Sequence, residues 1–426
     1  MNSSALIQAW TDAHGRSRGE EGFAAAFGAR AGSRTGAADA AAHDDAADHG
    51  GTAGGPVVVA SAPGRVNLIG EHTDYNGGLC LPIALPHRTF VTARARADDR
   101  VRLVSEKEDR MWEASLSQVS PGSVSGWGTY VAGVAWALAQ EGVPVPGFDL
   151  AVASCVPYGA GLSSSAALGC ATVMALARLV GSDWTGPDLR TDAGRAWAAQ
   201  VCVRAENEIA GAPTGGMDQA AALRATAGHA LLLDTRSGQV EQVPFDLAAA
   251  DLELLVIDTR AEHALVDGQY AQRRASCESA AATLGVQTLR EVSAAELPGA
   301  LAALPDETTR ARVRHVVTEI ARVKEFVGLL GAGSWARAGA VMDASHASLA
   351  TDYEVSAAEL DTAVQAAREA GALGARMTGG GFGGSAIALI PRGGAERIAA
   401  HVAEAFSAAG HRDPAFLRAE AAAPAH

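Results

Sequence analysis

Residues 64–75 read Gly-Arg-Val-Asn-Leu-Ile-Gly-Glu-His-Thr-Asp-Tyr, which crowds Arg65, Glu71, His72 and Asp74 into a dozen positions punctuated by glycine. Carboxylates and an imidazole at that density suit a polyol, because every sugar hydroxyl needs a donor or an acceptor in a fixed direction. The same three residue types also bind metals. Here Glu71, His72 and Asp74 are nearly adjacent, without the i, i+4 histidine pair of a helical metal site, so a polyol is the better reading. Arg65 has two readings, a surface ion pair of little worth or a clamp on the charge of a transferring phosphoryl group.

A second segment, residues 157–166, reads Pro-Tyr-Gly-Ala-Gly-Leu-Ser-Ser-Ser-Ala between an apolar strand pattern and an Ala-rich helix pattern. Glycines let backbone approach a ligand, and a helix start offers unpaired N–H groups with partial positive charge, so an anion belongs there. Serine is also the ordinary helix cap, but one cap needs one serine and this loop has three. A dinucleotide fingerprint is disfavoured because Ser164 stands where its third glycine would be.

Glu206 and Asp218 are the third candidate constellation, flanking a breaker-rich stretch at 211–216. A phosphotransferase needs one acid to hold Mg²⁺ and often another to orient or deprotonate the acceptor hydroxyl. The plainer alternative has Glu206 in solvent and Asp218 capping a helix, and spacing alone does not choose between them.

The elements that must carry these residues follow from pattern and punctuation. Short strands are expected at 57–60, 148–155, 252–258 and 385–390, with extended segments over 81–97 interrupted by Pro82 and Pro86. Helices are expected around Trp10 and 23–27, at 127–140, from about Ser163, and at 195–209, 269–284, 310–330, 336–349, 356–369 and 395–409. Without strict βαβ alternation or a fixed-period repeat, the class is α+β. At 426 residues the chain exceeds one ordinary hydrophobic core, so two lobes with a cleft between them are expected. Residues 31–55, nearly all Ala, Gly, Asp, His, Ser and Thr, lack the apolar surface to offset ordering and read as a disordered insertion.

Composition narrows the partners. A net charge of −14 disfavours nucleic acid. No uncharged apolar run approaches the roughly 18 residues of a membrane span, and no secretory pattern opens the chain, so a soluble cytoplasmic protein is expected. Five scattered cysteines read as buried thiols rather than as a metal or disulfide framework. Lys107 and Lys324 are the whole lysine complement and no G-x-x-x-x-G-K-[ST] loop occurs, which leaves arginine, backbone and metal for phosphate chemistry.

These segments together resemble the galactokinases of the GHMP kinase superfamily, from Ser61 to the last strand. The specific match is Ser-Ala-Pro-Gly-Arg-Val-Asn-Leu-Ile-Gly-Glu-His-Thr-Asp-Tyr-Asn from Ser61; Gly-Ala-Gly-Leu-Ser-Ser-Ser-Ala, Gly-Met-Asp-Gln and Met-Thr-Gly-Gly-Gly-Phe-Gly-Gly from Met377 mark the superfamily. The resemblance implies a two-lobed GHMP fold, with lobes at 56–225 and 226–426 behind a helical extension at 1–30 and the insertion at 31–55. It implies transfer of the γ-phosphoryl group of MgATP to the C1 hydroxyl of galactose, the first step of galactose catabolism, in a monomer. By it, Asp218 is the base and Arg65 stabilises the transition state. Galactose meets Glu71, His72, Thr73, Asp74, Gly215 and Tyr270, while ATP meets Ser105, Trp127 and the loop Gly159, Ala160, Gly161, Leu162, Ser163, Ser164, Ser165. Mg²⁺ sits on Ser165 and Glu206, and residues 379–384 support the phosphate loop. Departures from the family pattern are the 31–55 segment, Tyr158 where a small or aliphatic residue is common, and the missing acid in Ala167-Leu168-Gly169. Rivals to this reading are a related sugar or small-alcohol kinase, and a non-catalytic sugar sensor that kept the fold.

Overall fold

The computed structural model describes residues 6–28, 55–212, 214–261 and 266–426; the expected insertion at 31–55 lies outside them except for Gly55. The first lobe is built from α1 (Asp12–Phe27), β1 (Val58–Asn67), β2 (Leu79–Cys80), β3 (Pro82–Ala95), β4 (Arg100–Ser105), β5 (Trp112–Ser115), α2 (Thr129–Gln140), β6 (Phe148–Ser154), α3 (Ser164–Val180), α4 (Asp192–Ala205) and α5 (Met217–Arg224). A small sheet follows with β7 (His229–Asp234) and β8 (Val240–Pro244). The second lobe has β9 (Leu252–Asp258), α6 (Val266–Leu284), α7 (Leu297–Ala303), α8 (Glu307–Gly331), α9 (Trp335–Thr351), α10 (Ala358–Glu369), β10 (Gly374–Thr378), β11 (Ser385–Pro391), α11 (Ala395–Ala409) and β12 (Ala415–Ala419).

The main sheets run β1-β3-β6-β4-β5 and β10-β11-β9-β12, and β2-β7-β8 forms a third. Among the described residues only β4 and β6 pair in parallel, which agrees with the α+β reading. Helices α3 and α5 pack on β1 and β3, with α2 and α4 layered against them, over a core that includes Val91, Leu103, Val134, Leu150 and Leu176. Helix α1 covers the other face with Phe23 and Phe27, and Trp10 stacks on Phe90. The stretch Ser164–Asp183, which is α3 and the short turn after it, is long and apolar enough to cross a membrane by composition, but it is packed into this core with Ala171, Val173 and Leu176 fully buried. All five cysteines are free and buried, as expected.

The second core does more than fill its own lobe. It joins Leu255, Ile257, Phe326, Ile387 and Phe416 to Val66, Leu68, Ile69 and Leu162, so the two motif segments of the first lobe are sewn into the packing of the second. The cleft floor is therefore rigid by construction.

Strand β1 runs on to Asn67, well past the expected end at residue 60. Its register against β3 shifts between Pro63 and Arg65, where residues 85–87 of β3 face Gly64 alone, so Pro86 lies within a bulge of β3. Pro86 cannot donate to a ladder, and the bulge removes the demand for it, so β3 continues through a residue expected to interrupt it. At the bulge, a Cβ on Gly64 would lie 2.7 Å from the Leu162 carbonyl oxygen. Glycine there lets β1 touch the loop, and the Arg65 amide donates to that same oxygen at 3.1 Å. Gly64→Ala is expected to lower stability by about 1–3 kcal/mol by overpacking. Thermal unfolding measures it; a variant as stable as the parent would mean that β1 and the loop are not in rigid contact.

Candidate active site

Arg65 and Asp218 form a two-pronged pair, with Nε to Oδ1 at 2.7 Å and Nη2 to Oδ2 at 2.9 Å. The third arm of the guanidinium, Nη1, donates to the Gly161 carbonyl at 2.6 Å. Arg65 is 5 % exposed, which makes this a desolvated, geometrically fixed pair rather than a surface ion pair. Asp218 stands in the first turn of α5, whose N-cap is Gly216 in the left-handed region, and it makes no cap bond. The Ser163 hydroxyl donates to Asp218 Oδ2 instead of capping α3, and Ser163 itself has φ of 59°. A non-glycine residue in that region carries strain, which neighbouring structure must hold.

Two residues on, the Ser165 hydroxyl donates to Glu206 Oε1 at 2.9 Å, while Gln219 Nε2 donates to Oε2 at 2.6 Å. Glu206 opens a single π-helical turn that continues α4, and such a turn changes the direction in which its residues project. Burial, followed by the charge of Asp218, pushes the Glu206 carboxyl up to about 7. A carboxylate and a hydroxyl oxygen side by side, with excess negative charge around them, suit an oxygen-seeking divalent cation that keeps several waters. No group of three or more His, Cys, Asp and Glu side chains suited to a metal occurs among the described residues, so such a cation would take its other ligands from water and phosphate.

A cleft of about 160 Å³ opens beside this pair, lined by Arg65, Glu71, His72, Asp74, Glu206, Thr214, Met217, Asp218, Tyr270, Gly379 and Gly380. His72 is buried with φ of 61°; Nδ1 bonds the Tyr75 hydroxyl at 2.7 Å and Nε2 the Gly380 carbonyl at 3.1 Å. Burial, with His315 adding to it, drives its pKa to about 3, so the ring is neutral; Nε2 is then the protonated nitrogen and Nδ1 accepts. Tyr270 lies 5.4 Å from the His72 ring, centroid to centroid, with Gly380 beside it. Gly215 is a glycine because a Cβ would sit 2.1 Å from Asp74 Oδ2. Thr73 is different: its hydroxyl donates to the carbonyls of Leu79 and Gly70 at 2.7 and 2.9 Å, fully buried, and it does not line the cleft.

The second lobe reaches the phosphate loop directly. Ser385 Oγ donates to the Ala160 carbonyl at 2.6 Å, and a Cβ on Gly379 would press on the Gly161 oxygen at 3.0 Å. Ser164 is half-buried at the start of α3, Leu162 is buried, and Gly159 and Tyr158 face solvent, the latter 86 % exposed. Ser105 ends β4 and Trp127 precedes α2, both half-buried and neither on the cleft. Lys107 donates to the Val156 carbonyl at 3.3 Å, a cation at the mouth of the loop that composition did not place there. Reading the sequence also missed Arg376, whose guanidinium pairs with Glu71 from the second lobe; nothing in its strand pattern signals a buried charge. A larger cavity, about 870 Å³ and lined by residues such as Ile7, Phe245 and Arg418, contains none of these groups.

Three family signatures match the chain: a galactokinase galactose-binding signature over residues 48–95, a GHMP kinase N-terminal domain over 129–226 and a GHMP kinase C-terminal domain over 326–408. A galactokinase of Streptomyces coelicolor is 49 % identical over 367 residues, 85 % of this chain and 92 % of that one. The galactokinase of Mycobacterium tuberculosis is 45 % identical across 85 % of this chain and 96 % of its own, and that of Bos taurus 43 % across 82 % and 88 %. Among solved structures, Lactococcus lactis galactokinase complexed with galactose superposes with a TM-score of 0.84 at 32 % identity, covering 96 % of this chain and 98 % of that one. A mevalonate kinase with a TM-score of 0.61 at 15 % identity, covering 85 % and 98 %, shares the fold.

Asp74 supplies a test of the cleft's electrostatics. Burial, then the charge of Asp218, raises its carboxyl to about 6. A carboxyl raised in the folded state stabilises the fold when protonated, and that contribution fades as pH climbs through the folded value. A difference infrared titration, parent minus Asp74→Asn, should show a carboxylate band growing in as pH rises through about 6; a band already complete at pH 5 would contradict the geometry.

Proposed function

The chain belongs to the galactokinase family of the GHMP kinases, and from that membership we propose that Arg65, Asp218, Ser165 and Glu206 carry out a direct in-line phosphoryl transfer. The protein is an ATP-dependent sugar kinase that phosphorylates galactose, giving galactose 1-phosphate and ADP. The observation that carries the mechanism is the Arg65–Asp218 pair, set between the glycine-rich loop and the Glu71, His72 and Asp74 cluster.

Galactose occupies the cleft with its hydroxyls on Asp74, His72, Glu71, Tyr270 and the Gly215 backbone; Thr73 holds the shape of the loop rather than the sugar. Its C1 hydroxyl points at Asp218. As the C1 oxygen bonds to the γ-phosphorus and the bond to the β-phosphate oxygen breaks, Asp218 accepts the hydroxyl proton and ADP leaves. Arg65 donates to the equatorial oxygens, where charge gathers in the transition state. Ser165 and Glu206 would hold Mg²⁺, which when bound neutralises phosphate oxygens. The backbone of 159–165 cradles the phosphates at the start of α3, with residues 379–384 backing it from the other lobe. Ser105 and Trp127 are assigned to the nucleotide side, outside the sugar cleft, and the lobes divide near residue 225.

Asp218→Asn keeps the shape of the side chain and removes its basicity, so kcat should fall roughly 100- to 10,000-fold with galactose affinity nearly unchanged. Turnover close to the parent's would exclude Asp218 as base. Arg65→Ala should lower kcat by about two to three orders of magnitude. A change confined to KM would remove Arg65 from the transition state. In an ADP-release assay over galactose, glucose, galactosamine, arabinose and mevalonate, galactose should give the highest kcat/KM; a different winner would reassign the acceptor.

A further inference from the structure

We propose that Arg376, on β10 of the second lobe, is a positioning residue for sugar recognition, fixing the orientation of the Glu71 side chain at the wall of the cleft. The proposal rests on the reading of Glu71 as a galactose contact and identifies what keeps it competent.

Arg376 is fully buried, and so is the carboxylate it pairs with; Nη2 contacts Glu71 Oε2. Burial raises the Glu71 carboxyl, and the Arg376 charge, the largest influence opposing it, offsets only part of that rise. The other carboxylate oxygen, Oε1, is fixed by the Gly379 amide at 3.0 Å. Both restraints come from the second lobe, although Glu71 belongs to the first.

The guanidinium is itself held. Nη1 donates to the Leu68 carbonyl at 3.0 Å, which ties Arg376 to the strand-to-loop corner that precedes Glu71. Nη2 also lies 3.8 Å from Glu319 Oε1, on α8. Glu319 accepts from the Gly70 amide at 3.0 Å and the Ser345 hydroxyl at 2.6 Å, and pairs with Arg322 at 2.8 Å. Burial alone would raise the Glu319 carboxyl, but Arg322, His315 and Arg376 outweigh it and bring it down to about 2. Two buried acids and two arginines thus interlock around the 67–71 loop. Removing Arg376 alone takes away the group that Glu71 Oε2 contacts, so a buried acid loses its principal partner and has to turn elsewhere.

A purely architectural arginine would change stability without changing which substrate is held. Arg376→Met should raise the galactose KM by about tenfold or more, the scale seen when a supporting partner of a ligating group is lost, while the ATP KM stays within about twofold. Arg376→Lys keeps charge without the planar fork and should fall between parent and Met, and it stands in if the Met variant does not fold. Replacing Glu71 as well removes the buried acid that lost its partner: Glu71→Gln with Arg376→Met should unfold at a higher temperature than Arg376→Met alone, and its galactose KM should match that of Glu71→Gln. A galactose KM equal to the parent's in folded Arg376→Met or Arg376→Lys, or equal rises in both KM values, overturns the proposal. Failure of the parent to phosphorylate galactose would instead refute the functional assignment on which it rests.

Discussion

One buried ion pair sets the layout of the cleft. Arg65 leaves β1 at a bulge, grips Asp218 on α5 with two nitrogens and the glycine-rich loop through the Gly161 carbonyl with the third. Three segments distant in sequence are thereby held at fixed separation around one planar group. A guanidinium can do this and an ammonium cannot, because its donors lie in a rigid plane. Ser163 completes the arrangement by turning its hydroxyl to Asp218 from a left-handed backbone. The local conformational cost at Ser163 is offset by the packing of the loop between β1 and the second lobe.

Around that pair the protein accepts an excess of negative charge. Asp74 and Glu206 are both raised toward neutrality, each by burial and then by the charge of Asp218. Such crowding is unfavourable by itself and is relieved by a cation, a proton or a hydroxyl donor. The proposed chemistry supplies each of these, since Ser165 and Glu206 suit a divalent cation and Asp74 faces the sugar side.

Much of this was legible in the chain because the informative residues are local. The 64–75 segment and the 157–166 loop carry their chemistry in contiguous residues, and the helix starting near Ser163 follows from its glycine and serine punctuation. Pro82 and Pro86 misled the strand boundaries, because Pro82 is the first residue of β3, Pro86 within a bulge loses no ladder bond, and only the paired register reveals the bulge. Helix α5, eight residues long, was too short to announce itself by periodicity, and it carries Asp218. The roles of Ser163, Gln219 and Arg376 depend on partners dozens to hundreds of positions away, so no local spacing encodes them. Thr73 shows the converse: it lies within the motif, yet its hydroxyl closes a turn onto Leu79.

The central claim is that Arg65 and Asp218 act as one unit, and a double-mutant cycle measures that directly. Single Arg65→Met and Asp218→Asn variants and their combination would be compared by kcat/KM for galactose at saturating MgATP. If the pair works as a unit, the double variant loses little more than the more damaged single variant, because the first change already dismantles what the second would remove. Losses that add in free energy would show two independent contributions and contradict the account.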